Sequence, residues 1–399
     1  LWSVNKGVDL KTLQLCFDAF NLELTRDDYS FLAEDTQHAN PSAKPDRAIG
    51  ISEDGWFYPD RPLPVDCPLY IERPPIEESV YREIVKPGAV IRIRSARQMG
   101  KTSLILRLLA FAKNRGYRTV KINCHQINPE CFGNLDLFLR CLCYQIATQL
   151  QLEPNLDNIW DEEIGCKLNC SLYLQKYLLQ QSENPLVLVL SEVDLIFDYP
   201  QIADEFFSLL RSWCDEAGHD SIWQKLRLVI VYGTDRYISL NINHSPFNLG
   251  LPIYLAEFTP AQVEELATRY GLNWTPGKES AQLMSLVGGH PALVQIALFY
   301  LASGHITVEK LIEDAIASGG IYRSYLWEQW LKLKDNPRLL NLYTELVTNK
   351  RSVEIDPVDA YQLESLGLIC IKCDRLCPRG ELYRNYFANH LYANPTADT

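Results

Sequence analysis

Four short runs that carry Val, Ile or Leu, at 90–93, 118–122, 186–190 and 228–232, are separated by stretches whose apolar residues recur at helical spacing, at 103–113, 135–150, 172–180 and 203–217. A brief continuous run of Val, Ile and Leu is how a strand buried on both faces of a parallel sheet reads, and the stretches between have the period of amphipathic helices. Strands alternating with helices predict crossover units and an α/β fold built on a doubly wound parallel sheet. Ligands of such sheets bind at the carboxyl ends of the strands, so the residues just after each run are the first place to look for chemistry.

Beyond residue 258 the strand runs stop. Helical patterns at 260–270, 278–287, 291–301, 308–317 and 322–333 predict a helical lid. The order that follows, helix 338–348, helix 357–366, apolar strand 368–371, a turn and a closing helix 382–391, predicts a winged helix. At the other end, amphipathic stretches at 10–20 and 26–33, the second behind Thr25 as N-cap, predict a small helical head suited to packing or partner docking. The run Asn40-Pro41-Ser42-Ala43-Lys44-Pro45 and further prolines mark a linker. The expected division is a helical segment 1–34, linker 35–66, α/β core 67–258, lid 259–335, winged helix 336–393 and tail 394–399.

A chain of 399 residues with 47% hydrophobic composition can bury a substantial core. Its net charge of −12 argues against a general nucleic-acid coat, which needs an excess of Lys and Arg. Twelve cysteines spread from Cys16 to Cys377 without a repeating spacing fit reduced thiols of a cytoplasmic protein. No apolar run approaches the ~20 residues that span a bilayer, so no membrane is expected.

Residues 94–104 read Arg-Ser-Ala-Arg-Gln-Met-Gly-Lys-Thr-Ser-Leu, between the first strand run and the first helical pattern. That is where a phosphate-binding loop belongs, because the first N–H groups of a helix are unpaired and point at an anion. Gly100 permits close backbone approach, Lys101 supplies a point charge for β and γ oxygens, and the Thr102 hydroxyl is suited to magnesium. The usual loop opens with a glycine where this chain has Ser95.

The run 186–190 ends in Ser191-Glu192-Val193-Asp194. An apolar strand ending in two acids holds the metal with the first and orients the attacking water with the second. Here the first is Ser191, a neutral hydroxyl that binds a divalent cation weakly, so metal affinity or hydrolysis should suffer. Glu192 stands where the general base belongs, and Asp194 could reach the metal through water; the alternative is that both acids only solvate a strand end. Thr234, after the run 228–232, can touch a γ-phosphate or its water, or simply belong to a strand-end turn. In Gly288-Gly289-His290-Pro291 the proline suits a first helical turn and His290 either meets a phosphate or caps and packs; pattern alone favours the latter. Cys370, Cys373 and Cys377 lack a fourth ligand in step and read better as hairpin thiols than as zinc ligands.

Together, Tyr70-Ile71-Glu72-Arg73-Pro74-Pro75-Ile76-Glu77, Arg97-Gln98-Met99-Gly100-Lys101-Thr102-Ser103, the Ser-Glu-Val-Asp strand end, Gly288–Pro291 and Leu382-Tyr383-Arg384-Asn385-Tyr386-Phe387 resemble the bacterial AAA-like domain ATPases of the STAND branch of AAA+ proteins. The likeness covers roughly residues 60 to 392, and that family also tends to lack the first loop glycine. It implies a P-loop NTPase that switches on ATP or ADP with Mg2+, fused to effector or repeat modules. It places Tyr70–Arg73 near the adenine, the loop with Lys101 and Thr102 on phosphate and metal, Glu192 as base, Thr234 as first sensor and His290 with Pro291 as lid sensor. Ser191 departs from the family's usual Asp, and that predicts a signalling switch with slow or impaired hydrolysis. Its expected partners are an effector or sensor protein and, on nucleotide binding, further copies of itself.

Two other readings stay open. In a DNA-associated regulator the winged helix would read duplex DNA, although Lys350, Arg351, Lys372, Arg375, Arg379 and Arg384 are nearly cancelled by Glu354, Asp356, Asp359, Glu364, Asp374 and Glu381. In a scaffold the ATPase fold would survive without nucleotide.

Overall fold

The computed structural model describes residues 58–234, 246–348, 355–372 and 375–393. The helical head, most of the linker, Lys350, Arg351, Glu354, Cys373, Asp374 and the tail lie outside the described residues.

All four apolar runs become strands of one parallel sheet: β1 (Val90–Ser95), β2 (Arg118–Asn123), β3 (Leu186–Ser191) and β4 (Leu226–Gly233). A fifth strand, β5 (Leu251–Tyr254), completes the order β2-β3-β4-β1-β5. It is short, contains Pro252 and lies at the edge, so it leaves no apolar run to read. On one face Ile91, Ile93, Val187, Val189, Val229, Val231 and Ile253 pack against α1 (Ile76–Ile84) and α2 (Lys101–Asn114) through Val80, Ile84, Leu104, Ile105 and Leu108. On the other, Ile122, Leu188, Leu190, Leu228 and Ile230 pack against α3 (Leu135–Gln149), α4 (Cys166–Leu172, running on as a π-helical segment Tyr173–Leu179) and α5 (Pro200–Glu216). Helices cover both faces, as the apolar runs require. The ends of β1, β3 and β4 open on one edge of the sheet, because all their pairings are parallel.

The helices that follow are α6 (Pro260–Arg269), α7 (Glu279–Val287), α8 (Pro291–Ala302), α9 (Val308–Ser318) and α10 (Arg323–Lys334). Then come α11 (Pro337–Thr348), α12 (Pro357–Ser365), an antiparallel hairpin of β6 (Ile369–Lys372) and β7 (Arg375–Pro378), and α13 (Glu381–Ala393). Local signals start them well. Thr259 and Gln262 form a reciprocal capping box on α6, a device worth about 1 kcal/mol, and Pro260, Pro291 and Pro357 open their helices where a missing N–H costs nothing. Leu266, Val287, Leu298, Tyr322 and Leu326 share one core with Tyr343, Leu363, Leu368, Tyr383 and Phe387. Helices α6 to α10 and the C-terminal segment therefore pack around a common interior. Among the described residues no helix is long and apolar enough to cross a membrane.

Candidate functional site

The loop after β1 turns sharply, with Gln98 at φ 59° and Gly100 at φ 94°. Both lie in the left-handed region, and a Cβ at Gly100 would stand 3.1 Å from a guanidinium nitrogen of Arg73, so glycine answers backbone and space together. Gly100 caps α2 without a side-chain bond, which leaves the first N–H groups of the helix open to an anion. Lys101, nearly buried, curls back so that Nζ donates to Ser95 O at 3.0 Å and Ala96 O at 2.9 Å. Those carbonyls hold the ammonium charge inside the loop.

Arg73 supports the loop from outside. Its Nη1 donates to Met99 O at 2.8 Å and to Ala256 O at 3.4 Å. Its own N–H donates to Glu77 Oε2 at 2.9 Å, and the Tyr70 hydroxyl donates to Glu77 Oε1 at 2.7 Å. Burial, then the charge of Glu77, pushes the Tyr70 phenol up. Arg73 thus lies against the phosphate loop, and the Tyr70 ring sits 3.5 Å beneath the Arg107 guanidinium.

A cavity of about 630 Å³ opens beside the loop. Arg97, Gln98, Met99, Gly100, Lys101, Thr102 and Ser103 line it together with Tyr70, Arg73, Glu192 and Pro291, so most of the sequence-predicted residues share one space. Its volume falls in the range of small-molecule and cofactor sites, roughly 300–1,000 Å³. Glu192 holds a left-handed backbone at φ 57°, an uncommon state for a residue with a side chain, which aims it into the cavity. Burial lowers the pKa of Lys121, and the Glu192 charge opposes that shift only in part.

Four other predicted residues lie outside the cavity lining. The Ser191 hydroxyl donates to Ile122 O at 3.0 Å and joins the ends of β3 and β2. Asp194 accepts from Gly233 N at 2.8 Å and joins β3 to β4. With Glu192, the Asp194 charge adds to burial in pushing the Cys124 thiol up to about 12. Thr234 donates from Oγ1 to Ser365 O at 2.8 Å, and so meets the C-terminal segment. His290 is fully buried, with the Tyr325 ring edge-on at 5.4 Å and the Arg97 main chain beside it short of hydrogen-bond geometry. Burial, then the charge of Arg379, lowers its pKa to about 3.

Arg379, Arg107 and Glu77 carry contacts here that sequence reasoning did not assign. Arg379 Nε pairs with Glu257 Oε1 at 3.0 Å, and a Cβ at Gly367 would lie 3.2 Å from Arg379 Nη1 and 3.6 Å from Ala96 Cβ. The α12–β6 turn therefore lies against Ala96, the first residue after β1. Arg107 was visible as a lone charge among Leu104, Ile105, Leu106, Leu108 and Leu109; a cation on an apolar helix needs carbonyl or acid partners. Arg379 follows a hairpin and has no such signature. Among the described residues no group of three or more His, Cys, Asp or Glu side chains could hold a metal ion.

The model of the family described as AAA-like domain matches residues 58–389. An uncharacterised WD repeat-containing protein of Synechocystis sp. is 23% identical over 354 residues, 82% of this chain and 29% of that protein, so the chain spans less than a third of that relative. Among solved structures, the Walker-type ATPase PABY2304 of Pyrococcus abyssi is similar with a TM-score of 0.57 at 12% identity, covering 83% of this chain and 99% of that one. The ORC2 protein of Aeropyrum pernix, solved as ADPNP-ADP complexes, gives a TM-score of 0.45 at 15% identity over 83% of this chain and 97% of that one.

Proposed function

The chain belongs to the AAA-like domain family, and from that premise we propose that it is an ATP- and ADP-binding switch of the STAND type with slow or impaired hydrolysis, working in cytoplasmic signalling. The observation that supports it best is the meeting of three things at one point: the open N-terminus of α2, the Lys101 ammonium held at its base, and the cavity of about 630 Å³ alongside. A polyphosphate has the charge and size for that place.

In this reading the loop N–H groups and Lys101 bind the β and γ oxygens, and Tyr70 with Pro291 bounds the rest of the nucleotide. Mg2+, when bound, would neutralise charge between the phosphates, held by the Thr102 hydroxyl and phosphate oxygens. Ser191 gives that ion no charge and already donates to Ile122 O, while Asp194 is engaged by Gly233. Glu192, the carboxylate of this strand end that lines the cavity, is the base for water. Poor metal binding beside an intact loop suits a state that is read rather than rapidly consumed. The reader is the C-terminal winged helix, whose α12–β6 turn rests on Ala96 and whose Arg379 is tied to Glu257. Sensor or effector modules joined to such a core, or neighbouring copies, would receive the output.

The test is to identify nucleotide that co-purifies with the protein and to follow phosphate release with ATP and magnesium beside Lys101→Ala and Glu192→Gln. Bound nucleotide with little turnover, lost in Lys101→Ala, is expected. Full binding by Lys101→Ala would overturn the site, and rapid turnover abolished in Glu192→Gln would overturn the impaired-hydrolysis part.

A further inference from the structure

Residues 58–70 contain no helix or strand, yet they are tied at both ends. Toward α2, Leu63 N donates to Ser103 Oγ at 3.0 Å. The Arg107 guanidinium, nearly buried, donates to three successive carbonyls: Nη1 to Leu63 O at 3.2 Å, and Nη2 to Pro64 O at 2.8 Å and Val65 O at 3.1 Å. It lies over the Tyr70 ring at 3.5 Å, so one side chain holds the segment at two places. Toward α8, the Tyr58 ring packs edge-on against Phe299 at 5.5 Å and Tyr300 at 6.3 Å. Between these ties Pro59, Asp60, Arg61 and Pro62 line the same cavity as the phosphate loop. Four prolines, at 59, 62, 64 and 68, stiffen the strap and lower the entropy lost in fixing it.

We propose that Arg107 is a positioning residue of the nucleotide site, holding the strap 58–65 across the cavity between α2 and α8 so that release of nucleotide requires the strap to lift. The inference rests on the nucleotide reading above. The three carbonyls explain why the residue is Arg: lysine has one nitrogen and cannot present a planar fork to successive main-chain oxygens.

The experiment uses the full chain and a fluorescent ATP analogue, with association and dissociation followed separately. Arg107→Met should speed dissociation by roughly tenfold, since it removes three charge-assisted bonds, while association changes little. Arg107→Lys should fall between that variant and wild type. Tyr58→Ser, which cuts the other tie at the surface, should speed dissociation roughly threefold. The unfolding midpoint without nucleotide separates this role from general loosening, because Tyr58→Ser should leave it unmoved. Should Arg107→Met fail to fold, Arg107→Lys and Tyr58→Ser carry the test. Wild-type binding with unchanged dissociation in the folded variants overturns the strap alone. Wild type that binds no nucleotide overturns the nucleotide reading, and the strap's role with it.

Discussion

His290 should make stability depend on pH in a way that one substitution removes. The imidazole is fully buried at the start of α8, between the Tyr325 ring and the phosphate loop, with the Arg379 and Lys101 charges bearing on it. Burial first and Arg379 second lower its pKa from 6.5 to about 3. In the folded chain it is neutral at every pH above that value, whereas in the unfolded chain it takes up a proton below its ordinary 6.5. Proton uptake by the unfolded state alone draws the equilibrium toward unfolding as pH falls. The stabilisation is thus complete above the unfolded value and is lost progressively down to the folded one, at a limiting slope of about 1.4 kcal/mol per pH unit. Between about pH 7.5 and 5.5 this single group costs about 1.4 kcal/mol. His290→Gln keeps a neutral polar side chain and has nothing to titrate. Urea unfolding of both proteins at the two pH values, followed by tryptophan fluorescence, should show the wild type losing about 1.4 kcal/mol more than the variant. Equal losses would refute the reasoning, and would mean that His290 reaches water or an acceptor and titrates near its ordinary value.

The remaining predictions concern the C-terminal segment. Glu257→Gln leaves the Arg379 guanidinium buried without its carboxylate; because Glu257 is about one-third exposed the loss should be about 2 kcal/mol rather than the full cost of a buried pair, read as a lower thermal midpoint and faster nucleotide exchange. An unchanged midpoint would show that solvent screens the pair. Random duplex DNA should not be shifted in a gel even at low salt, since the chain carries 38 basic against 50 acidic residues. A salt-sensitive shift would bring back the DNA-associated reading.

The parallel sheet was legible because central strands buried on both faces read as apolar runs, unbroken in β3 and over 228–232 of β4 and interrupted in β1 by Arg92, while the edge strand β2 alternates, with Val120 and Ile122 buried. β5 gave no sign because an edge strand needs neither length nor alternation, and Pro252 is tolerated there. The place of Gly100, Lys101, Thr102 and Glu192 at the cavity was legible because each stands directly after a strand or at the start of a helix. Thr234 and Asp194 were equally well placed along the chain, but their partners, Ser365 and Gly233, are 131 and 39 residues away. No local pattern carries such pairings. The strap was read from its prolines as linker, since a segment held by Arg107 through main-chain carbonyls leaves no trace in its own side chains.

The side chains at the strand ends are engaged in holding the molecule together, and that fixes how a ligand could act on it. Lys101 is held by Ser95 and Ala96, Ser191 by Ile122, Asp194 by Gly233 and Thr234 by Ser365. A ligand shifts a conformational equilibrium only by as much as it binds one state better than the other. Lys101 can gain a phosphate oxygen while keeping its carbonyls, so contact there adds affinity without favouring either state. Thr234 is different. Its hydroxyl has one proton, and while that proton is given to Ser365 O it cannot be given to a phosphate. A ligand that recruits Thr234 must weaken the hold of the α12–β6 turn on β4, and by linkage any change that loosens the turn must strengthen that ligand's binding by the same factor. A ligand that reached Thr234 would therefore be coupled to the C-terminal segment through a single shared proton.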